Sequence, residues 1–191
     1  MFNLSIHIGL LNFRRPFYIF DYMIRYTDTA IGFREVPGEI SLLINISNCP
    51  HKCEGCHTPY LQQDTGNELT KEVFVGLLNK HLREITCVCF LGEGNDLDAL
   101  NELINICNDK SLLTCLYTGC TKMVAAKNII PKLYYLNFIK TGPYIAEKGG
   151  LDKETTNQEF FEIRWQGDTN GEEWYILEDL THLFWKNNNN L

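Results

Sequence analysis

The chain has 191 residues, 45% hydrophobic and 21% charged, which is enough to bury the core of one globular domain. Its formal net charge of −7 argues against nucleic acid or an anionic membrane as the main partner. The chain has no apolar run of transmembrane length and no start that resembles a secretory signal, so we expect its eight cysteines to be reduced in the cytoplasm.

Strand and helix patterns alternate through the middle of the chain, which is typical of βαβ units and a parallel sheet. Helices are indicated by apolar residues at helical spacing, and strands by short β-branched runs. In chain order, the sequence predicts a hairpin or extended arm at 26–40, a strand at 41–47, a helix at 69–85, a strand at 86–91, a helix at 96–107, a strand at 112–117, a helix at 121–130, a strand at 133–140, further strands at 157–164 and 173–179, and a short helix at 180–186.

Four loop segments directly follow the predicted strands of this middle region. They are the cysteine-rich segment 48–57, Gly92-Glu93-Gly94, Thr118-Gly119 and Thr141-Gly142. In parallel sheets the ligand lies at the carboxyl ends of the strands. We therefore expect all four segments to share one rim.

The segment NCPHKCEGCH, residues 48–57, holds three cysteines at the spacing Cys-x3-Cys-x2-Cys: Cys49, Cys53 and Cys56. A disulfide would leave one thiol unpaired. Zinc prefers four ligands, and a histidine of the segment would complete such a site. An iron–sulfur cluster suits the same soft thiolates. On a four-iron cluster, three thiolates would leave one iron without a protein ligand and therefore open to substrate.

This spacing after a strand resembles the signature of the radical S-adenosylmethionine superfamily. The wording CPHKCEGCH, continued by TPYL, is similar to the activating proteins of anaerobic ribonucleoside-triphosphate reductase. Further segments agree in order: LYTG at 116–119, KTGPY at 140–144 and NQ at 157–158. The resemblance covers roughly residues 30–165 of the chain.

The resemblance implies an α/β fold, an incomplete parallel-stranded (β/α) barrel with extra flanking strands. It implies one domain over residues 1–191, with the core at about 38–145. An N-terminal arm or hairpin would occupy 1–37, and C-terminal strands with a short helix would occupy 146–191.

The resemblance also implies the cofactors and the activity. Cys49, Cys53 and Cys56 would hold a 4Fe–4S cluster whose remaining iron binds S-adenosylmethionine. Reductive cleavage would yield a 5′-deoxyadenosyl radical, which takes a hydrogen atom from a backbone glycine of the large subunit of anaerobic (class III) ribonucleotide reductase. An electron donor such as flavodoxin would reduce the cluster, and neither nucleic acid nor a membrane would take part.

The cofactor-binding residues implied are Gly92, Glu93, Gly94, Thr118 and Lys140. The superfamily usually has Gly-Gly-Glu-Pro at the end of the second strand, whereas this chain has Leu91-Gly92-Glu93-Gly94. The Glu93 carboxylate remains available to accept the methionine ammonium. Thr118 and Lys140 would contact the cofactor from neighbouring strand ends.

The other cysteines and the histidines of the segment have ordinary structural roles in this interpretation. We expect His51 and His57 to pack or hydrogen-bond near the loop without binding metal, and Cys87, Cys89, Cys107, Cys115 and Cys120 to act as small packing residues.

Two alternatives to the reductase-activating function stay open. One is a radical enzyme with another glycyl-radical partner or a small-molecule substrate, and the other is a zinc-stabilised binding module without catalysis.

Overall fold

One eight-stranded sheet organises the part of the chain that the computed structural model describes, residues 24–167 and 173–185. Three α-helices accompany the sheet in this part. The elements are β1 (Arg25–Gly32), β2 (Ser41–Ile46), β3 (Asn67–Glu68), α1 (Lys71–His81), β4 (Cys87–Leu91), α2 (Leu97–Asp109), β5 (Leu113–Tyr117), α3 (Lys122–Asn128), β6 (Phe138–Thr141), β7 (Glu159–Gly167) and β8 (Glu173–Asp179).

The sheet is mixed, with the strand order β3-β1-β2-β4-β5-β6-β7-β8. The middle strands β2, β4, β5 and β6 pair in parallel, as the alternating pattern predicts. The four outer pairings are antiparallel, so the parallel strands expected of a barrel are limited to the middle of the sheet, and the flanking strands join it in antiparallel orientation. Between β1 and β2 the connection at 33–40 is too short for the crossover that parallel pairing requires.

The α/β class is therefore correct, and the sheet is open in the described part of the chain, where β3 and β8 form its two ends. β1 pairs with β2 along its length, so residues 25–32 are an integral strand of the sheet. Residues 1–23 of the predicted arm lie outside the described residues. The predicted short helix at 180–186 is a 3-10 turn at Thr181–Phe184, and residue 186 also lies outside the described part.

Side-chain caps fix the start of the first two helices. The Thr70 hydroxyl accepts a hydrogen bond from the Val73 amide at 3.3 Å, ahead of α1. The Asp96 carboxylate accepts from the amides of Asp98 and Ala99 at 3.1 and 2.9 Å, ahead of α2. Such caps satisfy backbone donors that the first helical turn leaves free. The predicted starts of both helices are thus confirmed.

The strand predicted at 133–140 is wrong in its first half, because β6 begins only at Phe138. Leu133 and Leu136 are fully buried, which explains the apolar signal. Between them Tyr135 has a φ of 65°, in the left-handed region that does not continue a strand. A 3-10 turn at Ile130–Lys132 precedes this segment and follows α3.

The two faces of the sheet bury separate apolar clusters. Leu42 and Ile44 point to the face that the helices cover, while the intervening Leu43 points to the other face. Cys107 belongs to the helix-covered cluster. The other cluster contains Val36, Leu43, Cys87, Cys89, Cys115, Leu151 and Phe160. The packing role expected for these four cysteines is confirmed.

Among residues 24–167 and 173–185, every helix is too short or too polar to cross a lipid bilayer.

Candidate functional site

The carboxyl ends of the parallel strands open onto a cavity of about 220 Å³. The cysteine loop, residues 48–57, closes one side of this cavity. The ends of β4, β5 and β6 provide much of the remaining wall. The lining includes Cys49, Cys53, Cys56, Gly92, Thr118 and Lys140, so three of the four segments expected at one rim meet at the cavity. Thr141 and Gly142 of the fourth segment are not among the lining residues, and neither are Glu93 and Gly94.

The backbone of the cysteine loop holds itself in a wrapped conformation. The amides of Asn48 and Cys49 donate to the carbonyls of Gln63 and Leu61, each at 2.9 Å, which ties the start of the loop to the chain that follows it. Left-handed φ values of 60° at Asn48 and 69° at Gly55 turn the chain. The loop geometry is thus fixed by main-chain contacts that do not involve the thiols.

The three thiols of the loop are free and half-buried at the cavity wall. Burial raises the pKa of the Cys49 thiol, and the nearby carboxylate of Glu93 raises it further. Metals bind thiolates, so a bound cation would have to displace this proton.

Lys140 places a cation beside these thiols. Its side chain is almost wholly buried, and its Nζ donates to the carbonyl oxygens of Gly142 at 2.8 Å and Thr118 at 3.4 Å. Burial lowers the pKa of Lys140 to about 8, and the charges of the three loop cysteines oppose that shift. The cavity wall therefore carries two kinds of group. The three loop thiols would become anionic on binding a metal, and the Lys140 ammonium beside them is positive.

His51 links the cysteine loop to two strand ends. Its Nε2 lies 2.9 Å from Oε1 of Glu93 and 3.3 Å from Oγ1 of Thr118. Gly119 leaves room for the ring, since a Cβ at that position would lie 2.5 Å from Cγ of His51. The predicted hydrogen-bonding role of His51 is confirmed. His57 packs as predicted, with its ring edge-on to Tyr144 at a centroid distance of 4.6 Å.

Glu93 presents one satisfied and one unsatisfied oxygen. Its Oε1 shares a hydrogen bond with Nε2 of His51, whereas Oε2 is buried and has no hydrogen-bond partner among the described residues. The flanking residues Gly92 and Gly94 have φ values of 109° and 63°, which favour glycine. A Cβ on Gly92 would lie 2.9 Å from the carbonyl oxygen of Ile46, so this turn needs a bare backbone.

A group of three possible metal ligands lies beside the cysteine loop. The atoms are Nε2 of His51, a carboxylate oxygen of Glu93 and Sγ of Cys120, all within 4.8 Å of one another. Cys120 also borders the helix-covered cluster, as its expected packing role requires. Sequence analysis missed this group because its members are distant in sequence, and only their shared position after strands indicates that they could meet.

Two further residues of the cavity wall were not singled out as site residues. Tyr144 and Gln158 line it, from the segments KTGPY and NQ whose order supports the resemblance. Gln158 is only 7% exposed. A polar side chain buried at a cavity wall is a candidate for ligand contact.

Comparisons of this chain with protein-family models, with curated proteins and with solved structures find no match.

Proposed function

We propose that this protein is an iron–sulfur enzyme that reductively cleaves S-adenosylmethionine to a 5′-deoxyadenosyl radical and generates a glycyl radical on anaerobic (class III) ribonucleotide reductase. The observation that carries the proposal is the cavity at the strand ends, where three thiols of one loop lie opposite a buried lysine. The sequence CPHKCEGCH of that loop supports the large subunit of the class III reductase as the substrate protein.

The residues of the loop fit a 4Fe–4S cluster. Cys49, Cys53 and Cys56 offer three soft ligands from a backbone that main-chain hydrogen bonds hold in a wrapped conformation, and all three border the cavity. When bound, the cluster supplies the electron and an iron that no protein side chain occupies. Lys140 contributes a positive charge near the sulfurs, which offsets the negative charge of a thiolate-ligated cluster.

Gly92 lines the cavity, and the glycine turn there would admit close approach of the amino-acid part of S-adenosylmethionine. Glu93 directly follows it, and its buried Oε2, which has no partner among the described residues, would be the acceptor for the ammonium. The departure from Gly-Gly-Glu-Pro has a local reason, since Gly94 has a φ of 63° that proline cannot adopt.

The finer fold assignment is part of the proposal. The four parallel strands β2, β4, β5 and β6 would be the remnant of an incomplete (β/α) barrel, and the antiparallel β1, β3, β7 and β8 would be its extra flanking strands. The open sheet and the ligand cavity at the carboxyl ends support this assignment.

The test starts with anaerobic purification and reconstitution with iron and sulfide. Reconstituted protein with a strong reductant should form 5′-deoxyadenosine from S-adenosylmethionine, and the Cys53→Ala variant should form none. Cys107→Ala is the matched control, because it removes a thiol buried away from the cavity and should keep the activity. If the wild-type protein forms no 5′-deoxyadenosine, the proposal is wrong.

The partner is tested by electron paramagnetic resonance on a mixture of the activated protein with a class III reductase large subunit. A glycyl-radical signal that disappears when the target glycine is replaced by alanine supports the assignment. Cleavage of S-adenosylmethionine without that signal would favour another glycyl-radical partner or a small-molecule substrate.

A zinc-stabilised binding module is the second candidate, favoured by the group His51, Glu93 and Cys120. Its nitrogen, oxygen and sulfur atoms are all zinc ligands in proteins. A colourless protein that retains one zinc after anaerobic purification, and that gains no iron on reconstitution, would support it over the enzyme.

A further inference from the structure

We propose that a second cavity, lined by Gln158, Glu159, Asp179 and Thr181 among others, binds an arginine or lysine side chain of the protein substrate. This inference rests on the proposed function and deepens it, because it names a chemical feature by which the enzyme would recognise the segment around the target glycine.

The second cavity has a volume of about 360 Å³ and opens at the same end of the sheet as the cavity of the cysteine loop. Glu159 begins β7 opposite Thr141, the last residue of β6. Asp179 ends β8, which runs antiparallel to β7. The start of β7 and the end of β8 therefore lie together beside the carboxyl end of β6.

Gln158 lines both cavities, which places them side by side. The residue is 7% exposed. Its main-chain N–H donates to Oγ1 of Thr156 at 3.1 Å, whereas its side-chain amide makes no hydrogen bond with the described residues. Buried polar groups in native proteins are nearly always hydrogen-bonded. A ligand that extends from one cavity to the next would supply the missing partner.

Two carboxylates give the second cavity its acidic character. Asp179 stands opposite Phe161, two positions after Glu159, so both carboxylates lie on one face of the sheet as diagonal neighbours about 7–8 Å apart at the backbone. Glu159 makes no hydrogen bond or ion pair in the described part of the chain, and Asp179 accepts only from the Thr181 amide, at 2.8 Å. The ammonium of Lys122 lies over the Phe161 ring and pairs with neither carboxylate. A cationic ligand would relieve their repulsion.

The cation that fits these carboxylates is an extended one. The described residues contain one group of three closely spaced metal ligands, beside the cysteine loop, and it includes neither Glu159 nor Asp179. A guanidinium or an ammonium on a flexible stem carries several N–H donors and reaches oxygens that stand apart.

A polypeptide can place such a cation here while its glycine lies at the first cavity. An extended chain advances about 3.3 Å per residue, so a side chain a few positions from the target glycine reaches the neighbouring cavity. The amide of Gln158, between the two cavities, has both a donor and an acceptor to offer the main chain of that segment.

Peptide binding to the full-length, reconstituted protein tests the inference. The probes are a synthetic segment of the class III large subunit centred on its target glycine, and the same segment with every arginine and lysine replaced by glutamine. S-adenosylhomocysteine, which has no sulfonium to cleave, is present to occupy the first cavity. Wild type should bind the natural segment at least about tenfold more tightly, the scale of two accessible charge pairs. A natural segment without arginine or lysine would overturn the inference.

The double variant Glu159→Gln/Asp179→Asn should reduce that preference to less than about twofold, because it removes the charges and keeps an acceptor for the Thr181 amide. Its affinity for the neutral segment should stay within about twofold of wild type. Glu84→Gln is the matched control, since it makes the same change of charge between α1 and β4, at the opposite end of the sheet, and should keep the full preference. Equal weakening of both segments in the double variant would overturn the inference.

The remaining outcomes also decide the question. If wild type forms no 5′-deoxyadenosine from S-adenosylmethionine, the proposed function itself is wrong. If wild type forms it but binds the two segments equally, or if the double variant keeps the preference, only the present inference is wrong. Spermidine serves as a free cation: if it displaces the natural segment at the same concentration as unlabelled segment does, the cavity takes a small free cation and the assignment to the protein substrate is wrong.

Discussion

Two groups of cysteines in this molecule have the same chemistry and opposite surroundings. The loop thiols, Cys49, Cys53 and Cys56, border a cavity and face the charge of Lys140. The core thiols, Cys87, Cys89, Cys107 and Cys115, have no exposed surface. Burial raises the pKa of Cys87, Cys107 and Cys115, so these core thiols stay neutral. The contrast teaches that burial, more than the residue type, decides which thiols a reagent or an ion can reach.

Alkylation of the native, metal-free protein should separate the two groups by the largest margin. The loop thiols are accessible, whereas the core thiols react only when the protein opens. We expect at least about a thousandfold difference in labelling rate, measured for each cysteine by peptide mass spectrometry. Labelling of the core thiols as fast as the loop thiols would remove the distinction.

Alanine substitution should affect stability in the opposite order. Cys89→Ala leaves a small cavity in a fully buried position and should lower the free energy of unfolding by about 2 kcal/mol. Cys53→Ala, at the cavity wall, should change it by less than about 0.5 kcal/mol. Urea denaturation of the metal-free proteins measures both values. Equal losses for the two variants would contradict the assignment of separate roles.

Gly119→Ala tests whether the cysteine loop depends on the close contact between Gly119 and the His51 ring. A Cβ at this position would lie within 2.8 Å of three atoms of His51, so the ring must move. We expect about a tenfold loss of S-adenosylhomocysteine affinity in the reconstituted protein, because both Gly119 and His51 line the cavity. The control is Gly76→Ala in α1, where a Cβ would meet nothing within 4 Å. Unchanged affinity in Gly119→Ala would show that the loop tolerates a displaced His51.

The smallest expected effect concerns Lys140, the buried cation that lies beside the loop thiols and not beside the core thiols. Burial lowers the pKa of Lys140 to about 8, from an ordinary value of 10.5. The folded protein therefore binds fewer protons than the unfolded chain between these values, so this residue makes stability rise with pH across that window. Below pH 8 its buried charge costs stability in full.

Lys140→Met should accordingly stabilise the metal-free protein by about 1 kcal/mol at pH 7, after allowing for the two hydrogen bonds that the variant loses. That advantage should shrink by pH 9.5. Urea denaturation at the two pH values measures it, with wild type as the reference. An advantage that does not change with pH would contradict the lowered pKa.

Sequence patterns predicted the elements whose signals are local. The helical spacing of apolar residues in α1 and α2 and the β-branched run at 41–47 are local signals, and the structure confirms both helices and the strand. The shared rim was predictable too, because parallel strands place their carboxyl ends together. The strand prediction is wrong over residues 133–137, because buried leucines indicate burial without specifying whether the backbone is extended or turned.

The link between His51 and Glu93 could not be predicted in the same way. The two residues are 42 positions apart, and their contact depends on the register between strands and on the missing Cβ of Gly119. The sequence allows a hairpin at 26–40, but nothing local in β7 predicts its antiparallel pairing with β6, because the segment 142–158 between them is long enough for either direction.

The main-chain closure of the cysteine loop has a consequence for how the protein is maintained. The hydrogen bonds from Asn48 to Gln63 and from Cys49 to Leu61 join main-chain groups, so the loop thiols take no part in them. A zinc finger differs, because its fold depends on the metal. On the proposed function, we therefore expect a chain that loses its inorganic group to keep these loop contacts. Restoring the enzyme then requires a supply of iron and sulfide, and no new synthesis of protein.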